Sequence, residues 1–263
     1  MKRILIISFT LLLLAGMFVL LGFIRQEHSH ASCNNIKVFI EYASTDTLVC
    51  KDEIRNLLIS EFDTLEGKAL TVSNLARIRN SITGIVYIED CDVDFLLNGD
   101  LRIRANQRIP ILRLNTEGQT WFIDDQGIVM PRHSHYSAMV PVAGGHLGHT
   151  GMLKPGNDLR ALADTNKVFA VSMLNQLIEV AHYVYHDANL KRLIEQIYVN
   201  PAGEIELYTY VGSHRILFGK ADNLAHKFNN LLQFYRSAHS ATGLSQYKTI
   251  NLKYSGQVVC SKS

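Results

Sequence analysis

Read only for apolar and polar positions, the chain opens on an unbroken apolar run, Ile4 to Ile24, and begins to alternate only after it. About 21 residues without a charge, at 1.5 Å per residue, reach roughly 30 Å, the thickness of bilayer hydrocarbon, so the run predicts a membrane helix. Beyond a polar stretch, Ile36 to Tyr42 alternates as a strand does. Lys51 to Phe62 sets Ile54, Leu57, Leu58 and Phe62 on one helical stripe, with Asp52 and Glu53 in the first turn, where the helix dipole favours negative charge. A second helix starts near Thr71, an N-cap residue, presents Leu75, Ile78 and Ile82, and stops at Gly84. Two strands, Ile85 to Asp94 and Leu101 to Ala105, flank Asn98-Gly99, a hairpin turn whose residues tolerate positive φ. The order β-α-α-β-β lets two helical stripes bury against one face of a three-stranded sheet.

After Pro110 the pattern is mostly β, with "ILRL" and "TWFIDD", a turn at Asp125-Gln126-Gly127, and "IVM". A long helix is predicted from about Asn166 to Tyr185, with Val168, Val171, Leu174, Leu177, Ile178 and Ala181 on one face. Strands follow at Ile194 to Val199, Ile205 to Tyr210 and Arg215 to Phe218, and then a helix carrying Leu224, Phe228, Leu231 and Tyr235. The last segment, "INLKYSGQVVC", puts Ile250, Leu252, Tyr254, Val258 and Cys260 in alternation with Asn251, Lys253, Ser255 and Gln257, which predicts a terminal strand. Alternation alone does not separate an edge strand, open to strand addition, from an internal one.

Charge changes the picture in one respect. Lys plus Arg exceed Asp plus Glu by 26 − 24 = 2, and Lys2 and Arg3 precede the apolar run, so the rest of the chain is formally neutral and lacks the basic face that nucleic acid requires. The same two residues place the N-terminus on the cytoplasmic side and the bulk of the chain outside. The alternative is a leader cleaved after Ser29-His30-Ala31, although the apolar run exceeds the 7 to 15 residues usual for one. A lipoprotein signal fits poorly, because His30 stands where a lipobox has an apolar residue before Cys33. Cys33, Cys50, Cys91 and Cys260 form no Cys-x-x-Cys pair, and their spacing demands no disulfide, though Cys50 with Cys91 is conceivable.

The tempting chemistry lies in "MPRHSHYSAMVPVAGGHLGHTG", where His133, His135, His146 and His149 have spacings a metal site uses. No carboxylate or thiolate ligand stands in frame with them, which favours an ordinary loop. His182 and His186 are one helical turn apart, yet the glutamate of His-Glu-x-x-His is missing. Asp124 and Asp125 are neighbours on a strand and point to opposite faces, so they do not form an acid and base pair. No Gly-x-Ser-x-Gly elbow and no phosphate loop is present, so no cofactor and no enzymatic activity are expected. The competing reading is a secreted periplasmic metalloenzyme built on the His133 to His149 cluster.

The stretches "QRIPIL" (Gln107 to Leu112), "FIDDQGIV" (Phe122 to Val129) and "VPVAG" (Val140 to Gly144) resemble, in order, motifs of the bacterial cell-division family FtsQ, also called DivIB. Members have Glu-Arg-x-Pro-Val-Ala, then apolar-Ile-Asp-x-x-Gly, then Leu-Pro-x-apolar-x-Gly, and a last strand with apolar-Asp-Leu-Arg-Tyr, matched here by Ile250-Asn251-Leu252-Lys253-Tyr254. Gln107, Asn251 and Lys253 depart from that pattern, and the glycine often found after the first POTRA strand is absent from Glu41-Tyr42-Ala43. The resemblance implies an α+β protein with a short cytoplasmic N-terminus (residues 1–3), a single N-terminal transmembrane helix (4–24) and a linker (25–35). A POTRA-type β-α-α-β-β domain (36–106) follows, then a mostly β domain with flanking helices (107–260) and a short tail (261–263). It further implies a non-enzymatic, bitopic inner-membrane scaffold of the divisome, sited at the septum, that recruits small single-span proteins of the FtsB and FtsL type. On this reading the partner-binding residues are Ile250, Leu252, Lys253, Tyr254, Ser255, Gly256 and Gln257.

Overall fold

The computed structural model describes residues 13–17, 32–42, 47–133, 138–165, 169–241 and 243–262. The expected transmembrane helix is not borne out, because no helix among the described residues is long and apolar enough to cross a membrane. Of that apolar run only residues 13–17 are described, as helix, and the remainder lies outside the described residues. The physical reason for the miss is that hydropathy records what a segment would tolerate, not whether a helix of spanning length forms. The rest is a mixed α and β protein in two compact units, one containing the chain up to Tyr42 with Val49–Gln107 and the other running from Arg108 onward.

The first unit has the order β1 (Asn35–Glu41), α1 (Lys51–Phe62), α2 (Val72–Thr83), β2 (Ile88–Phe95) and β3 (Asp100–Gln107). Its sheet runs β1-β3-β2, with β1 parallel to β3 and β2 antiparallel to it. Strand β2 starts three residues later than the alternation predicts, because Ile85 still accepts the Ile88 N–H in the turn that leaves α2. At the start of α1 the Glu53 carboxylate accepts the Cys50 N–H at 2.9 Å, and at the start of α2 Thr71 Oγ1 accepts the Asn74 N–H at 3.3 Å. Each cap satisfies a donor that the helix itself leaves unpaired. Ile54 and Leu58 from α1 and Ile78 and Ile82 from α2 are buried against Val38, Leu101, Ile103 and Ala105 of the sheet. Each such side chain contributes roughly 1.5–3 kcal/mol. Arg102 and Arg104 reach Asp94 across the strand pair at 2.9 and 3.4 Å.

The second unit is one nine-stranded sheet in the order β12-β11-β10-β9-β8-β7-β4-β5-β6. Its strands are β4 (Pro110–Thr116), β5 (Gln119–Asp124), β6 (Val129–Pro131), β7 (Val142–Gly145), β8 (Ile194–Val199), β9 (Ile205–Thr209), β10 (Arg215–Gly219), β11 (Tyr247–Asn251) and β12 (Val259–Lys262). Its helices are α3 (Leu159–Thr165), α4 (Phe169–His186), α5 (Ala188–Leu193) and α6 (Leu224–Ala241). Strands β7 and β8 pair in parallel, as do β10 and β11. Parallel neighbours need a long crossover, which α3 to α5 supply in the first case and α6 in the second. The helix expected from about Asn166 to Tyr185 is α4, described from Phe169 to His186, with residues 166–168 outside the described residues, and α3 before it was not expected. Leu174, Leu177, Ile178 and Ala181 of α4 and Phe228 and Leu231 of α6 share one core with Ile197, Leu207, Ile216, Phe218 and Ile250 of the sheet.

Within this unit Asp124 is a buried carboxylate. It pairs with Arg108 at 2.8 Å and accepts the N–H groups of Gln126 at 3.0 Å and Ile128 at 2.6 Å. Burial pushes its carboxyl above the usual range, and the Ile128 N–H and the Arg108 guanidinium pull it back.

Candidate functional site

The segment read from the sequence as one strand from Ile250 to Cys260 is a hairpin, which corrects that expectation. Strand β11 ends at Asn251, the chain turns through Ser255 and Gly256 (φ +79°), and β12 returns antiparallel with Cys260 opposite Ile250 and Val259 opposite Asn251. A Ser-Gly pair is a turn signal, but Gly256 falls in the apolar phase of the pattern, so the two arms join without a visible break. The other side of β11 pairs with β10, where Ile216 opposes Ile250. Strand β11 is therefore internal, and β12 is the last strand of the sheet.

This geometry sorts the expected partner-binding residues. Ile250 and Leu252 are buried in the core and hold the hairpin in place, with the Leu252 N–H donating to the Leu217 carbonyl at 3.0 Å. Lys253, Tyr254, Ser255, Gly256 and Gln257 are exposed together at the turn. Lys253 is not an unengaged cation: its ammonium lies 3.1 Å from both oxygens of Glu204, and its stem covers Gly219. Tyr254 projects freely, with 53% of its surface exposed. Beside the turn a groove of about 310 Å³ is lined by Asn230, Gln233, Phe234 and Ser237 of α6 and by Gly256, Gln257 and Val258.

The two ends of the sheet differ. Along β6 the chain at 156–158 lies in hydrogen-bonding register: the Val129 N–H donates to Asn157 O at 2.9 Å, the Gly156 N–H donates to Val129 O at 2.8 Å, and Ile128 bridges Asp158. That edge is covered. Among the described residues β12 pairs with β11 alone, and Val259, Ser261 and Lys262 are exposed. An uncovered edge of this kind presents a row of backbone donors and acceptors that another strand can use.

A family model described as FtsQ/DivIB, C-terminal related, matches residues 109–261, more than half of the 263. The chain belongs to that family. Its matched part begins at the strand that holds Pro110 and closes inside β12, so it takes in the covered edge, the open edge and the Asp124 turn alike. Membership in the FtsQ/DivIB family points to a role in cell division and in protein interactions of the division machinery. No curated protein matches the chain.

The histidine cluster gains no support as a metal site. His135 lies outside the described residues, and among the described residues no group of three His, Cys, Asp or Glu side chains is placed to hold a metal ion. The rings of His182 and His186 lie tilted at 57° with centroids 4.3 Å apart on α4, and burial holds the His182 imidazole below its ordinary value, with His186 and Arg160 acting in the same direction. The four cysteines are free thiols, and burial raises those of Cys33, Cys91 and Cys260, which keeps them protonated at neutral pH.

Proposed function

We propose that this protein is a non-enzymatic scaffold of the bacterial division machinery. On this reading it recruits small single-span division proteins of the FtsB and FtsL type by strand addition to β12, and so links early to late components at the septum. The observation that carries the reading is the asymmetry of the nine-stranded sheet, closed at β6 by the chain at 156–158 and, among the described residues, open at β12. An incoming strand gains backbone hydrogen bonds along β12, and register comes from side chains seated around the turn. Tyr254 offers apolar area with a hydroxyl at its tip, and the Lys253 ammonium can exchange Glu204 for a partner carboxylate at little cost, since an exposed pair is worth about 0.2–1 kcal/mol. The first unit has the β-α-α-β-β order of a POTRA domain, and we assign it that type, with the β domain running over 107–260.

The test is photo-crosslinking in living cells from a reactive residue at Tyr254 and another at Ser261, with Gln119 on the opposite side of the sheet as the control, followed by mass spectrometry. Capture of a small coiled-coil division protein from the first two positions alone is expected. Uncrosslinked monomer at all three positions, with the protein present at its normal level, would sink the strand-addition reading.

A further inference from the structure

Ile216 and Phe218 of β10 are buried in the core that the helices cover, and His214 stands two residues before Ile216 in the same phase, an imidazole where the alternation calls for an apolar side chain. His214 is 1% exposed, whereas Tyr210 to Ser213, the turn that leads into it from β9, are exposed. Its neighbours fix where its proton sits. Thr209 Oγ1 donates to the Val211 carbonyl at 2.9 Å, which uses the one hydrogen that this hydroxyl has. The Tyr235 hydroxyl, 3.0 Å from Thr209 Oγ1, is therefore the donor of that pair, and its oxygen accepts from His214 Nε2–H. The imidazole is thus neutral with its lone pair on Nδ1. This nitrogen is buried with no hydrogen-bond partner among the described residues. Gly212 lies over it, so close that a Cβ there would come within 2.7 Å of both Nδ1 and Cε1. The chain of bonds ties both ends of the turn, Thr209 and His214, to Tyr235 of α6.

We propose that His214 is a latch on the β9 to β10 turn, closed while its imidazole is neutral and released by acid while the rest of the sheet stays folded. A second proton can enter only at Nδ1, where the new N–H finds no acceptor, and a buried charge without a partner is costly. The surrounding elements offer it no anion. Arg192 of α5 and Arg236 of α6 border the groove that Tyr235 lines, and no carboxylate is among the described residues lining that groove. Arg215, next in the chain, is paired with Glu206 at 3.4 Å. The Tyr235 hydroxyl stays neutral, since burial pushes it up to about 12. An imidazolium therefore needs water, and water reaches Nδ1 once Gly212 moves off it. The exposed turn is the part able to move, because β9 and β10 on either side of it are held in the sheet. The direction follows from burial, which holds the imidazole below its ordinary 6.5 while the turn is closed. An open, wet turn restores that value, so closure is fully favoured above about pH 6.5 and weakens by up to about tenfold per unit as pH falls toward the closed value.

The experiment follows hydrogen exchange of the full-length protein by mass spectrometry at about pH 7.5 and 5.5, corrected for the intrinsic pH dependence of exchange. Peptides covering 209–215 should lose about tenfold in protection at the lower pH, while peptides from β4 and β5 keep theirs. In His214→Gln, whose side-chain amide still donates to Tyr235, the turn should be equally protected at both pH values. Gly212→Ala, strained at φ +84° and pressed against the ring, should open the turn already at the higher pH, and it decides the matter if His214→Gln fails to fold. Nitrogen-15 spectra of the histidine-labelled protein should show His214 as the Nε2–H form at neutral pH. The proposal is overturned by an equal loss of protection in β4 and β5, by no loss in the turn, or by a loss that persists in His214→Gln. Unchanged protection in Gly212→Ala, or His214 in the Nδ1–H form, overturns it as well.

Discussion

Replacing Gly145 by alanine adds a single methyl group, yet it is expected to be among the costliest substitutions in the β unit. Gly145 ends β7, which lies between β4 and β8 inside the sheet, and its φ is +104°. A Cβ there would lie 2.3 Å from the Val199 carbonyl oxygen and 2.8 Å from Cε2 of Tyr198. Two costs add. A side chain at positive φ costs roughly 1–2 kcal/mol. Pushing it against a backbone that is itself held by pairing to β9 costs about 1–3 kcal/mol more, as overpacking does elsewhere. The expected loss is about 2–5 kcal/mol, a large share of the 5–15 kcal/mol that holds a typical domain together. Two neighbouring experiments separate the terms. Gly144→Ala meets only the Asn115 carbonyl at 3.6 Å with no unusual φ, and should be close to neutral. Gly118→Ala sits at φ +86° in open space and should show the backbone term alone, about 1–2 kcal/mol. Urea unfolding followed by the fluorescence of the single tryptophan, Trp121 in β5, reads this unit directly. In thermal melts Gly145→Ala should lower the midpoint by about 4–20 °C. A loss no greater than that of Gly118→Ala would refute the steric half of the reasoning.

Three further outcomes follow from the same structure. Asp124→Ala removes the partner of Arg108 and the acceptor for two backbone N–H groups, and should cost about 3–5 kcal/mol in urea unfolding, with a loss under about 1 kcal/mol counting against the buried pair. Burial alone holds the His214 imidazole below its ordinary value of 6.5, so the unfolded chain takes up this proton at a higher pH than the fold does. Its contribution is therefore full above about pH 6.5 and is lost as pH falls through the folded value; His214→Gln should flatten part of the drop in urea midpoint between about pH 7.5 and 5.5, His182 accounting for another part. Glu204→Gln releases Lys253 and should change stability by under about 1 kcal/mol while speeding association with an acidic partner in stopped-flow mixing, an advantage that added salt erases.

The first unit was legible because its signals are local. Thr71 caps a helix, Asn98-Gly99 turns a hairpin, and Ile78 and Ile82 repeat at helical spacing, each decided within a few residues. The second unit was legible in its pieces but not in its order. Nothing within Val142–Gly145 says that this short strand lies parallel between β4 and β8, since both pairings are settled by chain more than 25 residues distant. The candidate site was half legible for a similar reason. Lys253 and Tyr254 stand out by type, whereas β12 was hidden in a continuous alternation, and the pairing of Lys253 with Glu204 joins residues from separate strands.

On the proposed strand-addition reading, the hairpin also bears on how an edge left open among the described residues would be selective. A bare edge strand invites any extended chain, and proteins commonly blunt such edges with short strands and lysine. Strand β12 has both devices, four residues in length and ending on an exposed Lys262. Four residues give few backbone hydrogen bonds, each with a net worth of only about 0.5–1.5 kcal/mol. A partner that uses β12 alone therefore gains too little to offset the cost of ordering its own strand. The additional binding has to come from contacts that only some partners make, and those on hand are the exposed Tyr254 ring, the exchangeable Lys253 and the groove between Gln233, Phe234 and Gln257. On the proposed strand-addition reading, the weakness of β12 as an edge would make recruitment depend on the side chains around the turn.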